Sequence, residues 1–285
     1  MKIQWFPGHM AKAKKEIQKN VKLVDLIIEI VDARCPFSST NYDIKNETKH
    51  KLKLVVVNKT DLIDEKNLDK FIKCNSESEI LCISLKESKK VDKLIEDAAL
   101  RACSEIFKKR KEKNIINSKI KAMVVGMPNV GKTTLINRYI NKNVLQTANK
   151  PGVTRQVTWI KASQTLDLLD TPGISMPSFK NEQMAENLAL IGSINDEIVN
   201  IDELVFSFIN YCKVNYKEAL VKRYKLSFNE DISMLDTITI YDQIATNMNC
   251  ITNKKIDYTK CAKLLLTDFR SGSLGKISLD ESSFY

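Results

Sequence analysis

Residues 126–133 read Gly-Met-Pro-Asn-Val-Gly-Lys-Thr, a match to G-x-x-x-x-G-K-[ST]. The apolar run Ile120 to Val125 precedes the match as a strand, and Thr133 to Ile140 follows it as a helix. A strand, a glycine-bearing turn and a helix N-terminus, in that order, restrict the fold severely. The backbone must wrap closely while its amides and the positive end of a helix converge on one anion. Such a loop predicts phosphate binding, with Val130, Gly131 and Thr134 in the wrap. Lys132 is expected to reach the β- and γ-phosphates, and Thr133 to offer its hydroxyl to Mg²⁺. A plain glycine-rich turn is the alternative, and it does not explain why Lys-Thr opens a helix.

Downstream, Leu168-Leu169-Asp170-Thr171-Pro172-Gly173 closes another strand. Asp170 is placed to hold Mg²⁺ through water, and the Gly173 amide to meet the γ-phosphate. Between the two motifs lies Lys150-Pro151-Gly152-Val153-Thr154-Arg155, where Thr154 is a candidate metal-binding hydroxyl.

A second group of motifs comes earlier in the chain. Asn58-Lys59-Thr60-Asp61 follows the apolar run Leu52 to Val57 directly. Guanine offers N1–H and a 2-amino donor on one edge, which a carboxylate such as Asp61 can accept and adenine cannot supply. Asn58 can bridge base and neighbouring loops, and the Lys59 stem can lie over the ring. Ser84-Leu85-Lys86 ends the next strand, where a backbone amide can meet O6. N-K-x-D alone is a weak match; at a strand end, with S-x-K at the next strand end, it selects GTP over ATP. The base-reading motifs precede the phosphate loop, the reverse of the order in ordinary regulatory GTPases. The order is circularly permuted, which is permissible because strand ends build the site whatever the chain order.

The rest of the sequence fits this frame. Leu26 to Val31, Leu52 to Val57 and Ile80 to Ser84 read as strands, and Val157 to Ile160 with Leu166 to Leu169 as a pair. One long amphipathic helix is expected from Val91 through Ile106, followed by a basic linker. The fold class is therefore α/β: a three-layer, Rossmann-like P-loop GTPase domain with permuted motif order. Past Ser178 the strand signal fades. Ile198, Ile201, Leu204, Val205, Phe208, Ile209 and Cys212 follow helical spacing, as does Tyr258 to Leu266. A boundary near 178 is expected, with a GTPase domain over 1–177 and an all-α domain over 178–285. The charge changes there too. Net charge is +10 over the 285 residues. Residues 1–177 hold 33 Lys and Arg against 20 Asp and Glu, and residues 178–285 hold 12 against 15. The basic excess suits a polyanion such as RNA, or a solvated helix face. No apolar run reaches the length of a membrane span and no signal peptide is visible, so a cytoplasmic protein is expected. Seven cysteines without C-x-x-C spacing read as reduced thiols, mostly small buried hydrophobes.

The motif order resembles that of the circularly permuted GTPases. The opening Trp5-Phe6-Pro7-Gly8-His9-Met10-Ala11-Lys12-Ala13 and Val31-Asp32-Ala33-Arg34-Cys35-Pro36-Phe37-Ser38 resemble the ribosome biogenesis GTPase A (YlqF/RbgA) family. So do Leu188-Ala189-Leu190-Ile191-Gly192-Ser193-Ile194 and Asp268-Phe269-Arg270-Ser271-Gly272-Ser273-Leu274-Gly275. The resemblance implies GTP hydrolysis during late maturation of the large (50S) ribosomal subunit, stimulated by the ribosome. It implies contacts with the precursor subunit and its rRNA, and a helical C-terminal domain that shares in them. It also implies a catalytic histidine at His9. Ile174 stands where many GTPases carry a water-orienting glutamine, so either His9 takes that work beside Lys132 and Thr154, or intrinsic turnover is poor. Asn129 has two readings: ligation of K⁺ beside the phosphates, or a local hydrogen bond that closes the loop. A nucleotide-dependent RNA-binding switch with negligible turnover, and a permuted GTPase serving the small subunit, are the rival readings. A monomer off the ribosome is expected.

Overall fold

The computed structural model describes residues 15, 17–115, 119–140, 158–170 and 181–280, without the side chains at 111, 140, 158 and 170. Strand β1 (Leu26–Asp32) is buried along its whole length, as a central strand covered on both faces must be. It pairs in parallel with β2 (Leu52–Asn58) on one side and with β4 (Ile120–Gly126) on the other. Strand β3 (Glu79–Ile83) extends the sheet beyond β2. Beyond β4 lie β6 (Leu166–Asp170), parallel to it, and the antiparallel edge strand β5 (Thr158–Lys161). The order is β3-β2-β1-β4-β6-β5.

Alternation of side chains along each strand separates two apolar faces. Leu26, Ile28, Ile30, Leu54, Val56, Ala122 and Val124 share one core with the helices at Val91–Ala102 and Lys132–Ile140. On the opposite face Ile27, Met123, Val125 and Leu169 pack with Ile17, Val21 and Ile44, and Val55 and Val57 pack with Phe71. Helices on both faces of a largely parallel sheet make three layers. Chain order leaves β1 for β2 and β3 in one direction, and β4 for β6 in the other. The crevice beyond the carboxyl ends of β1 and β4 is thus the topological switch point, where such sheets bind ligands.

Among the described residues after β1 the α-helices are, in chain order, α1 (Pro36–Ser39), α2 (Tyr42–Glu47), α3 (Asp69–Cys74), α4 (Val91–Ala102), α5 (Ser104–Glu112), α6 (Lys132–Ile140), α7 (Glu182–Leu190), α8 (Ile201–Asn215), α9 (Lys217–Tyr224), α10 (Thr237–Asn247) and α11 (Tyr258–Ser271). Three local features differ from the sequence reading. The expected single helix over 91–106 breaks at the buried Cys103, whose ψ of 11° ends α4, and α5 then carries part of the expected basic linker. Ile198 sits in a separate 3₁₀ turn and is exposed rather than on the buried face of α8. The helical region also holds a small hairpin, Ile251–Thr252 with Lys255–Ile256. Its turn residues Asn253 and Lys254 both have positive φ, 52° and 62°, the geometry that matches strand twist in two-residue turns.

Asn181, Asn200 and Asp257 cap the N-termini of α7, α8 and α11 by accepting from backbone amides. Gly272, at φ 84°, ends α11 in the left-handed conformation. The chain then returns to the sheet. Ile277 donates its amide to Leu62 O at 3.1 Å and Leu279 to Arg34 O at 2.7 Å. The Asp280 carboxylate accepts from Phe37 N at 2.6 Å and Ser38 Oγ at 2.6 Å at the start of α1.

Candidate nucleotide site

Asn58 ends β2 in register with Asp32 of β1 and Ile83 of β3, so three strand ends meet around it. Its Nδ2 donates to Val130 O at 2.7 Å, and its Oδ1 accepts from Leu85 N at 3.0 Å and Lys59 N at 2.7 Å. One buried amide therefore joins the phosphate loop, the N-K-T-D loop and the S-L-K loop. The N-K-T-D and S-L-K segments, 27 residues apart at this bond, become adjacent. Leu85 is buried, and Ser84 Oγ accepts from Glu87 N at 3.1 Å to shape the turn. Lys86 and Asp61 are exposed, Asp61 in the 3₁₀ turn Thr60–Leu62.

The phosphate loop is held tightly. Gly126 and Gly131 have φ of 152° and 117°. A Cβ on Gly131 would lie 2.3 Å from Asn58 Nδ2, so only glycine lets Asn58 approach. Lys132 is buried, with Nζ donating to Met127 O at 2.7 Å and Gly126 O at 3.2 Å. Thr133 and Thr134 are half-buried in the first turn of α6. Asp170 ends β6 in register with Val124, two residues before Gly126. Thr133 in the first turn of α6 and Asp170 at the end of β6 are residue types whose oxygens are hard donors, a chemistry that fits Mg²⁺. Asn129, at φ 60°, donates its Nδ2 to Gly192 O at 2.6 Å, beyond α7. Ser193 Oγ donates to Pro128 O at 2.6 Å, so a turn of the helical region is bonded to the phosphate loop.

Asp32, Arg34 and Arg138 also take part, although no motif in the sequence assigns them a role. The Lys59 ammonium lies 2.7 Å from Asp32 Oδ2 and donates to Asn129 O at 3.1 Å. Arg34 meets the same carboxylate with two donors, Nε at 2.9 Å and Nη2 at 2.7 Å. Burial alone would raise the Asp32 carboxyl, but the Arg34 guanidinium and the Lys59 ammonium outweigh it and hold the group far below the ordinary carboxylate range. Burial draws Lys59 below its ordinary value against the pull of Asp32. The Arg34 guanidinium also lies 4.8 Å from the centroid of Phe269 in α11. Arg138 of α6 donates to Leu85 O at 3.1 Å and Lys86 O at 2.7 Å, steadying the S-L-K loop. The Asp32 segment is visible in the sequence as part of the family resemblance, but nothing local marks it as a partner of Lys59. His9, Thr154, Gly173 and Ile174 lie outside the described residues, as does the side chain of Asp170.

The comparisons agree with this geometry. Residues 121–222 match the family described as 50S ribosome-binding GTPase. Ribosome biogenesis GTPase A of Bacillus cereus is 39% identical over 98% of this chain and 94% of its own. The chain belongs to the ribosome biogenesis GTPase A family. Probable ribosome biogenesis GTPase A of Mycoplasma genitalium is 34% identical over 98% of this chain and 97% of its own. The structure of GNP-bound YlqF from T. maritima superposes with a TM-score of 0.64 at 21% identity, covering 95% of this chain and 99% of that one. The ribosome biogenesis GTPase A fold is thus shared nearly end to end, permuted order included. Among the described residues no helix is long and apolar enough to cross a membrane.

Proposed function

We propose that this member of the ribosome biogenesis GTPase A family hydrolyses GTP to GDP and phosphate as an assembly factor in late maturation of the large ribosomal subunit. It contacts the precursor and its rRNA, and acts in the cytoplasm as a monomer when off the ribosome. The observation that carries the reading is the double engagement of Asn58, which binds Val130 O in the phosphate loop and Leu85 N in the base-reading loop. It supports one pocket that reads phosphates and base together.

Within that reading Asp61 selects guanine, the Lys59 stem covers the ring, and the Ser84–Lys86 turn presents its amides to O6. Val130, Gly131, Lys132 and Thr134 wrap the phosphates, with Lys132 stabilising charge on the β- and γ-phosphates. Thr133, Thr154 and Asp170 would hold Mg²⁺, which when bound neutralises phosphate charge, and the Gly173 amide meets the γ-phosphate. Asn129 donates its amide nitrogen to Gly192 O, and its side-chain oxygen is the atom whose chemistry would suit K⁺. His9 is the proposed water-orienting group, since Ile174 cannot hydrogen-bond. Residues 1–177 form the GTPase domain and 178–285 the ribosome-contacting helical domain.

The test is steady-state GTP hydrolysis in K⁺ buffer, with purified large subunits and with small subunits as control. A rise with large subunits alone is expected. Equal rates under all three conditions would overturn the ribosome-stimulated reading. In that assay His9→Ala is expected to cut stimulated turnover while leaving GTP affinity intact by calorimetry, and normal stimulated turnover would remove His9 from the mechanism.

A further inference from the structure

The carboxyl ends of β1, β2 and β4 hold the candidate nucleotide site. Their amino ends, at the opposite edge of the sheet, collect lysines from three distant parts of the chain. Lys22 precedes β1, Lys49 and Lys51 precede β2, and Lys121 is the second residue of β4. Arg110 draws α5 across the same end. It donates to Asp25 Oδ1 at 2.7 Å beside β1 and to Lys119 O at 3.3 Å beside β4, and so places Lys109 and Lys113 there. Lys22, Lys49, Lys109 and Lys113 are exposed, with no ion pair among the described residues. Several carboxylates nearby are already engaged: Asp25 by Arg110, Glu29 by Lys53, Glu79 by Arg101 and Glu105 by Lys108. A cleft of about 480 Å³ opens between the α2–β2 turn and the start of β3, lined by Lys45, Thr48, Lys49, Lys51, Ser76 and Ser78, with Glu77 at its side.

An exposed indole adjoins this surface. Trp159, on the edge strand β5, is 44% exposed, and Lys121 Nζ lies 5.9 Å from its ring centroid. Lysines with a flat aromatic face match a ligand that carries both phosphates and bases. Across the sheet, β2 and β5 are separated by four strand spacings, about 19 Å, enough to follow several backbone phosphates. We propose that the amino-terminal end of the sheet, opposite the nucleotide, is an RNA-binding face, with Trp159 as a base-stacking platform at its edge.

The test uses the full chain with GDP and a fluorescein-labelled single-stranded RNA of about 20 nucleotides, read by anisotropy from about 50 to 200 mM KCl. The triple variant Lys49→Glu, Lys109→Glu, Lys113→Glu is expected to bind at least about tenfold more weakly. Its slope of log affinity against log salt should be shallower by about 2, at roughly 0.7 per phosphate contact. Trp159→Ala should weaken binding by about fivefold or more with the slope unchanged, because stacking releases no counterions. GDP affinity within about twofold of the parent chain shows that each variant is folded. Parent-like RNA affinity in both variants, or no RNA binding by the parent chain, overturns the proposal. So does loss in the triple variant of binding to phosphatidylserine vesicles alone, which would assign the face to a membrane. The result is independent of turnover: a chain that bound RNA here without hydrolysing GTP would overturn the function proposed above and leave this face standing.

Discussion

Asn58→Ala removes a donor and an acceptor from a place where Val130 O and Leu85 N have no path to water, since Val130 and Leu85 are buried. Leaving both unpaired is expected to cost about 2–4 kcal/mol, seen as a shifted denaturation midpoint, and to weaken GTP binding because two loops lose their common anchor. Gly131→Ala tests the same joint from the other side. Its Cβ would collide with Asn58 Nδ2, and a φ of 117° is strained for alanine, so nucleotide affinity measured by calorimetry should fall sharply. Lys132→Ala should remove most of that affinity, whereas Asp61→Asn should change the preference between GTP and XTP. These residues are legible in the sequence because phosphate and guanine chemistry demand fixed residue types at fixed spacing. Asp32 and Arg34 are not legible in that way. What gives Asp32 its role is Lys59 across the sheet register, and what gives Arg34 its second contact is Phe269, 235 residues away.

Among the elements, strands are more legible in the sequence than helix ends. Parallel strands buried on both faces are near-continuous apolar runs, so β1, β2 and β4 stand out. The break at Cys103 does not, because apolar spacing continues through Ile106 and only packing shows where the axis turns. The thiols follow the elements that carry them. Cys35, Cys103, Cys212, Cys250 and Cys261 are buried, and Cys74 and Cys82 are exposed. Burial pushes Cys103 up to about 11, which leaves it protonated at neutral pH. A thiol reagent at neutral pH is therefore expected to label Cys74 and Cys82 in the native chain and all seven cysteines after denaturation; rapid native labelling of Cys103 would contradict the packing of α4. Helix α11 supplies the other elemental test. Phe269 packs against Phe208 with centroids 4.9 Å apart and beneath Arg34. Phe269→Ala should cost about 3–5 kcal/mol in chemical denaturation.

For the whole molecule, the buried Asp32 cluster and the returning tail tie the two ends of the described chain together. Asp32→Asn leaves the buried Arg34 and the half-buried Lys59 short of a partner, and a loss of about 3–5 kcal/mol is expected at neutral pH. The pH dependence has a definite sign. The folded-state pKa of Asp32 is depressed, so its stabilisation is complete above the ordinary carboxylate value of 3.8 and is lost as pH falls toward the folded value. The difference in stability between the parent chain and Asp32→Asn should stay flat from neutral pH to about 4 and shrink below it. Truncation after residue 275 would remove the bonds from Ile277, Leu279 and Asp280, and so should lower stability. The sequence by itself determined the α/β class and the motif order, and it proposes the nucleotide-reading residues and a boundary near 178, because each depends on residue type at short range. Only the tertiary structure decided that Asn58 is the joint of the site, that the helical region is bonded to the phosphate loop, and that three lysine-bearing stretches share the far end of the sheet. Those are relations between residues far apart in the chain, and they exist only once strand register and packing bring them within a few ångströms.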